Sequence, residues 1–179
     1  FLDANNSYEF KRRIPFVKVN ATRKFPVEIM VSVEEISELR VLEASNLTCS
    51  EIRSTHLKVF HSSTGNVHLE AMDAPEIEVQ HLGNGILTLK GDRTSSLSIE
   101  VHGDGILDAG ELEVTTAKVV HRGNKEIQIN PHQWLDARLL SSGDIFLHQN
   151  PKNSVIEVKA SGQIKNLFDT NEKAEHVAE

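Results

Sequence analysis

Two stretches decide how this chain is read: HLGNGILTLKG, His81–Gly91, and VHGDGILDAGE, Val101–Glu111. Inside them, GNGIL (Gly83–Leu87) and GDGIL (Gly103–Leu107) are nearly the same pentapeptide. A phosphate-cradling loop, a calcium loop and the corner of a repeat would each use glycines in this way. Dinucleotide and Walker loops place their glycines before a helix whose N-terminus holds the phosphate. Here the glycines run into ILTL, which alternates like a strand. Calcium-binding β-rolls renew a glycine- and aspartate-rich nonapeptide in every turn. The period here is 20, from Gly83 to Gly103, and Asp104 is not renewed. The pentapeptide is therefore a corner in something that repeats.

The period runs outward in both directions. Blocks beginning at Leu57, Ile77, Leu97, Ala117, Leu135 and Val155 follow one another in steps of 20, 20, 20, 18 and 20. Each opens on an alternating apolar pair: Leu57 and Val59, Ile77 and Val79, Leu97 and Ile99, Ala117 and Val119, Leu135 and Ala137. A second pair follows each corner: Val67 and Leu69, Leu87 and Leu89, Leu107 and Ala109, Ile127 and Ile129, Ile145 and Leu147. A third apolar patch falls near Met72, Leu112, Val114 and Trp134. Upstream, a block from Leu39 fits at a step of 18, and VEIMVSV from Val27 reads as one more strand.

A period of two is that of a half-buried strand, and no segment carries a helical period. Repeats of about 20 residues made only of short strands predict a solenoid, because one coil cannot bury its own inward side chains. Stacked coils about 4.8 Å apart can, each strand pairing in parallel with its equivalents above and below. The expected fold is all-β: a right-handed single-stranded parallel β-helix of six to seven coils, with right-handedness following from the general rule for parallel connections. A β-sandwich also spaces its strands closely, but does not require blocks of nearly equal length.

The corner positions are Gly65, Gly83, Asn84, Gly85, Gly103, Asp104, Gly105, Gly123, Asn124, Gly143 and Gly162. Glycine is expected there because a sharp bend favours positive φ. Asn84, Asp104 and Asn124 share one corner position, flanked by Thr64 and Ser142, where short polar side chains can bond the backbone and one another.

Composition narrows the function. The chain has 179 residues, a net charge of −7, and no basic run longer than Lys11–Arg13. Nucleic-acid binding needs clustered positive charge, so none is expected. One cysteine, Cys49, cannot form an intramolecular disulfide or a cysteine zinc cluster. No apolar run approaches the roughly 20 residues of a membrane helix, and the start at Phe1, without methionine, reads as a trimmed chain in which a removed secretion signal would be invisible. Sequons occur at Asn5, Asn20 and Asn46, a pattern without meaning in a bacterial host.

Two residue sets are worth testing for chemistry. His61, His81 and His121 share one block position, with Val101 interrupting, so the first two should stack. Two imidazoles are half a zinc site, but no recurring carboxylate or thiol completes it. Asp92, Asp108, Glu111 and Glu113 are near one another in sequence. A glycosidase needs two carboxyls about 5–9.5 Å apart in a groove, and such grooves also use aromatic platforms, of which one Trp and one Tyr are a meagre supply. No catalytic, metal or cofactor residue is assigned. Phe60 and Phe146 fall where alternation predicts an outward side chain.

SSTGNV (Ser62–Val67), LGNGIL (Leu82–Leu87), HGDGIL (His102–Leu107), SSGDIFLHQNP (Ser141–Pro151) and ASGQI (Ala160–Ile164) together resemble the head GIN domain of auto-transporter adhesins. That bacterial family repeats G-S-G-D-like corners and closes on an L-x-A…S-G-D-I-x-Y…P block, matched here by LDARLLSSGDIFLHQNP from Leu135. VEIMVSVEEISELRVLEASNL, from Val27, is similar to the family's first strand, turn and coil, so the likeness spans Val27 to Leu167. Only two corners keep both glycines. The resemblance implies a right-handed β-helix, export to the periplasm, outer-membrane surface or medium, and an adhesin role, without a ligand or catalytic residue to transfer.

Residues 1–26 are expected to be a cap or added strands, 27–168 the β-helix, and 169–179 a polar tail. The expected function is non-enzymatic: an exported module for adhesion or envelope structure, with a glycan or a host or envelope surface protein as partner. Self-association through coil ends or faces is also expected, since a solenoid exposes an edge at each end. The alternatives are a polysaccharide-processing β-helix enzyme and a self-polymerising, bactofilin-like scaffold.

Overall fold

A computed structural model describes residues 7–14, 17–24, 30–32, 34–42, 44 and 46–167. The polar tail at 169–179, and Pro15, Phe16, Phe25 and Pro26 of the N-terminal segment, lie outside the described residues. The chain divides into two compact units, Phe1–Val33 and Glu34–Glu179.

In the first unit, β1 (Ser7–Ile14) and β2 (Val17–Lys24) form an antiparallel hairpin in continuous register, from Ser7↔Lys24 to Ile14↔Val17. Of the strand expected from Val27, Met30, Val31 and Ser32 lie outside any strand and are exposed, and Val27–Ile29 and Val33 are outside the described residues. Glu34 to Ile36 continue without strand structure, so the first coil begins later than VEIMVSV suggested.

The second unit is all-β, a parallel solenoid of about six turns of about 20 residues, with no helix among the described residues. Its strands are β3 (Glu38–Val41), β4 (Leu47–Cys49), β5 (Ile52–Arg53), β6 (His56–His61), β7 (Val67–Asp73), β8 (Glu76–His81) and β9 (Leu87–Val101). They continue through β10 (Leu107–His121), β11 (Ile127–Leu139), β12 (Ile145–Leu147), β13 (Asn153–Val158) and β14 (Ile164–Asn166). One face runs β3-β6-β8-β9-β10-β11, with β13 pairing β11 at its far end. Another stacks β4, β7, β9, β10, β11, β12 and β14. Strands β9, β10 and β11 are long because they turn from one face to the next through β-bulges without breaking pairing.

The register confirms the repeat residue by residue. Leu57 pairs with Ile77, Ile77 with Leu97, Leu97 with Ala117, and Ala117 with Leu135. These side chains, with Val59, Val79, Ile99, Val119 and Ala137, line the interior and are buried. The second set, from Val67 through Leu87, Leu107 and Ile127 to Ile145, is buried likewise. At roughly 25 cal/mol per Å² of apolar surface removed from water, such columns are the main favourable term for the unit. Parallel pairing satisfies the backbone between coils.

Three local expectations are corrected. Leu39 pairs with Val59, not Leu57, so the step from the first coil to the next is also 20 rather than 18. Leu135 pairs with Ser154, a step of 19, and Val155 therefore faces outward opposite Asp136. A one-residue shift in a period-two strand moves every side chain to the other face. Trp134 does not join Met72, Leu112 and Val114 in the interior: it stands beside Thr116, 41% exposed, while those three are buried.

Candidate functional site

The corners sit where three consecutive bends interrupt the strands, at 63–65, 83–85 and 123–125. The expected reason for their glycines is wrong. No described glycine has positive φ, and among the described residues Ala71 alone does, at 46°. The glycines answer to crowding along the solenoid axis. A methyl group at Gly83, Gly103 or Gly123 would lie 2.1–2.2 Å from the carbonyl oxygen of Ser63, Gly83 or Gly103 in the coil before it. Gly85 meets the Gly65 carbonyl in the same way, and Gly162 meets that of Gly143. Gly105 and Gly143 carry a second constraint, since a methyl there would also lie 2.3 and 2.4 Å from Nε2 of His81 and His121. Coils approach so closely at the corner that no side chain fits between them.

Beside the glycines runs a polar ladder. The Asp104 N–H donates to Asn84 Oδ1 at 3.2 Å, Asn124 Nδ2 donates to Asp104 Oδ1 at 2.9 Å, and Ser142 Oγ donates to Asn124 Oδ1 at 3.0 Å. A parallel ladder joins Asn46 to the N–H of Asn66, and Asn66 to that of Ile86. Asp104 therefore accepts from a neighbouring coil, which is the work of a corner rather than of a calcium loop. The following DAGE segment has its own explanation. Asp108 Oδ1 accepts the Gly110 N–H at 3.0 Å, and the bare Gly110 is the seat for the ring of His148, whose Nε2 is 2.9 Å from Gln128 Oε1.

His61, His81 and His121 all point inward and are fully buried. The rings of His61 and His81 are stacked, with centroids 4.8 Å apart and planes 20° from parallel, and their Nδ1 atoms are 2.9 Å apart. His61 Nε2 lies 3.0 Å from the Gly65 carbonyl, and His121 Nε2 lies 2.7 Å from that of Lys125. Burial disfavours the charged ring. It lowers the pKa of all three, and burial followed by repulsion from His61 takes His81 down to about 4.

Of the four acidic candidates, Asp92 is exposed, Asp108 accepts from the Gly110 N–H, and Glu111 and Glu113 each meet a cation. Glu111 pairs with Lys90 at 2.8 Å, and that hydrogen bond raises the lysine's pKa. Glu113 receives Arg93 at 2.8 Å and lies 3.7 Å from His132, and the Arg93 hydrogen bond holds its carboxyl below the ordinary range. Glu100 is shared between His102 and Arg122, and Asp144 receives Lys165. Among the described residues, no group of three or more His, Cys, Asp or Glu side chains is placed to hold a metal ion. Phe60 and Phe146 face outward, each beneath a cation from an adjacent coil: Arg40 at 4.8 Å and Lys165 at 5.5 Å from the ring centres. These inter-coil cation pairs were not expected from alternation, although each partner stands 19–20 positions away and the period points to them.

Corners crowded to bare backbone, an interior of stacked apolar columns and an exterior of inter-coil ion pairs define a parallel β-solenoid module. The chain belongs to the family described as "Putative auto-transporter adhesin, head GIN domain", whose model matches residues 10–151. The match starts before Val27, where the sequence likeness began, and stops short of the last corner at Gly162. The family description is that of an adhesin head, and it points to an extracellular or surface location. The solenoid is similar to the crystal structure of a putative adhesin from Bacteroides fragilis NCTC 9343, with a TM-score of 0.70 at 21% identity. The likeness covers 73% of this chain and 60% of that one, and at that identity it speaks for the fold alone. Among curated proteins, no sequence matches this chain.

Proposed function

We propose that this chain is a non-enzymatic, exported β-solenoid module that holds a binding surface away from the bacterial envelope, with a glycan or a surface protein as its partner. One observation carries the reading beyond the family description. Two of the four acidic candidates, Glu111 and Glu113, are matched with cations of an adjacent coil, Lys90 and Arg93, where a glycosidase would need a pair of carboxyls left free to face a substrate. Ladders of this kind suit a stiff presenting surface. A glycan array and a panel of envelope proteins, probed with the purified chain, test the proposal: saturable binding without turnover is expected. Release of reducing ends from any polysaccharide would overturn it in favour of an enzyme.

A second reading, end-to-end self-association, is favoured by the last coil. Among the described residues β13 pairs with β11 alone, and Ile156 and Val158, which sit over Ala137 and Leu139, are each 47% exposed. An unpaired strand edge with apolar neighbours is a template for another strand. Light scattering across protein concentration should then show mass growth that Ile156→Glu abolishes. A monomer at every concentration would dismiss this reading and leave the first intact.

A further inference from the structure

The stacked pair His61–His81 has only one self-consistent arrangement of protons when neutral. A carbonyl can only accept, so His61 Nε2 carries the hydrogen donated to Gly65. The Nδ1 of neutral His61 is then a lone pair, and the hydrogen shared at 2.9 Å belongs to His81 Nδ1. His81 Nε2 is left as a bare acceptor, and it is a buried atom without a hydrogen-bond partner. The chain of donors thus runs from His81 through His61 to the Gly65 carbonyl and has an open end.

That open end lies beneath a corner. His81 Nε2 is the atom that a methyl on Gly105 would strike, and the backbone groups of Gly85 and Gly105 are near enough to favour a proton there without completing a hydrogen bond. Apolar side chains close the column on both sides, since His61 pairs with Val41 and His81 with Val101. Among the described residues, the only charged or titratable group acting on His81 is His61, from β6, and no carboxylate bears on either ring. His121, two coils on, differs: its Nε2 donates to Lys125, its Nδ1 accepts the Gly123 N–H at 3.3 Å, and Asp144 favours its charge.

We propose that the His61–His81 pair is a proton-operated latch: a proton taken up at His81 Nε2 loosens the corners at 82–86 and 102–106, while the His121 corner, whose ring is supported by Lys125 and Asp144, loosens less. A cation buried between His61 and Val101 has only the Gly85 and Gly105 backbone in its favour, which is smaller than the cost of desolvation, so the charged ring is better solvated with the corner open. The sign follows. His81 titrates near 4 when closed and near 6.5 when exposed, so closure is fully present above pH 6.5 and weakens through that window, reaching its floor below about 4. Over the window the local closing equilibrium falls by about 300-fold, tenfold per pH unit for one proton.

The experiment uses the full chain, with ring nitrogens followed by NMR and amide protection factors followed by hydrogen exchange from pH 7 to pH 4. His81 Nε2 is expected to take up its proton near pH 4. Protection at Gly83, Gly85, Gly103 and Gly105 should fall tenfold per unit below pH 6.5, with a smaller fall at Gly123. His81→Val, which copies Val101 at the same column position, should remove the pH dependence at those amides, and His121→Val should not. An ordinary His81 pKa, or protection that falls identically in His81→Val, overturns the latch. If His81→Val does not fold, the titration and exchange of the unmodified chain decide alone.

Discussion

Gly103 is held by three backbone atoms at once. A methyl there would lie 2.1 Å from the Gly83 carbonyl oxygen and 2.6 Å from both the carbonyl carbon and oxygen of Leu82. Backbone cannot swing aside as the end of a flexible side chain can, so relief must come from separating two coils that hydrogen-bond along their length. Gly103→Ala should therefore destabilise the solenoid by about 3 kcal/mol, at the upper end of overpacking costs, read as a shift in the midpoint of denaturant unfolding. A loss within experimental error would restore the conformational explanation that the φ angles reject. The positions of these glycines were legible from their regular spacing, but their cause was not. Periodicity reports which residues are equivalent, whereas the distance between equivalent backbones is set by the stacking itself. The stacking of His61 on His81 was legible for the same reason, and their proton arrangement was not, because it depends on the carbonyl of Gly65.

At the scale of the element, bulges and slips carry the information that alternation misses. Ala71 takes a left-handed φ of 46° where β7 and β9 lose register between Leu69 and Met72. An L-residue in that region is strained by roughly 1–2 kcal/mol, and glycine loses part of that advantage to its greater chain entropy. Ala71→Gly is expected to stabilise by up to about 1 kcal/mol, visible as a rise of a few degrees in the thermal midpoint; a fall would mean that the methyl contributes packing there. The ion-pair ladders should behave differently. Glu113 stands on the outer surface, and exposed pairs contribute little once salt screens them. Glu113→Gln should leave the thermal midpoint unchanged at physiological ionic strength, and a clear drop would show the ladder acting as a network. Alternation placed the central strands correctly because both flanking coils impose the register. It failed at Leu39 and Val155, where an end coil has one neighbour and a corner differs in length by a residue or two.

Across the whole solenoid, stability depends on how many neighbours a coil has. Each coil contacts only those adjacent, so the free energy of the stack is close to a sum of coil and interface terms. Leu97 stands in the middle: fully buried, paired with Ile77 on one side and Ala117 on the other. Ile156 occupies the same interior lining in the last coil, but rests on Ala137 alone and is half exposed. Leu97→Ala removes packing from two interfaces and leaves a cavity closed on both sides, so a loss of about 3 kcal/mol is expected. Ile156→Ala removes packing from one interface and leaves no enclosed void, and should cost less than about 1 kcal/mol. Native-state hydrogen exchange should report the same gradient, with the amides of β9 and β10 slowest and those of β13 and β14 exchanging by local opening of the last coil. Equal costs for the two substitutions, or uniform protection from β6 to β14, would mean that the last coil is covered in solution. Concentration-dependent protection of β13 alone would identify the cover as a second copy of the chain.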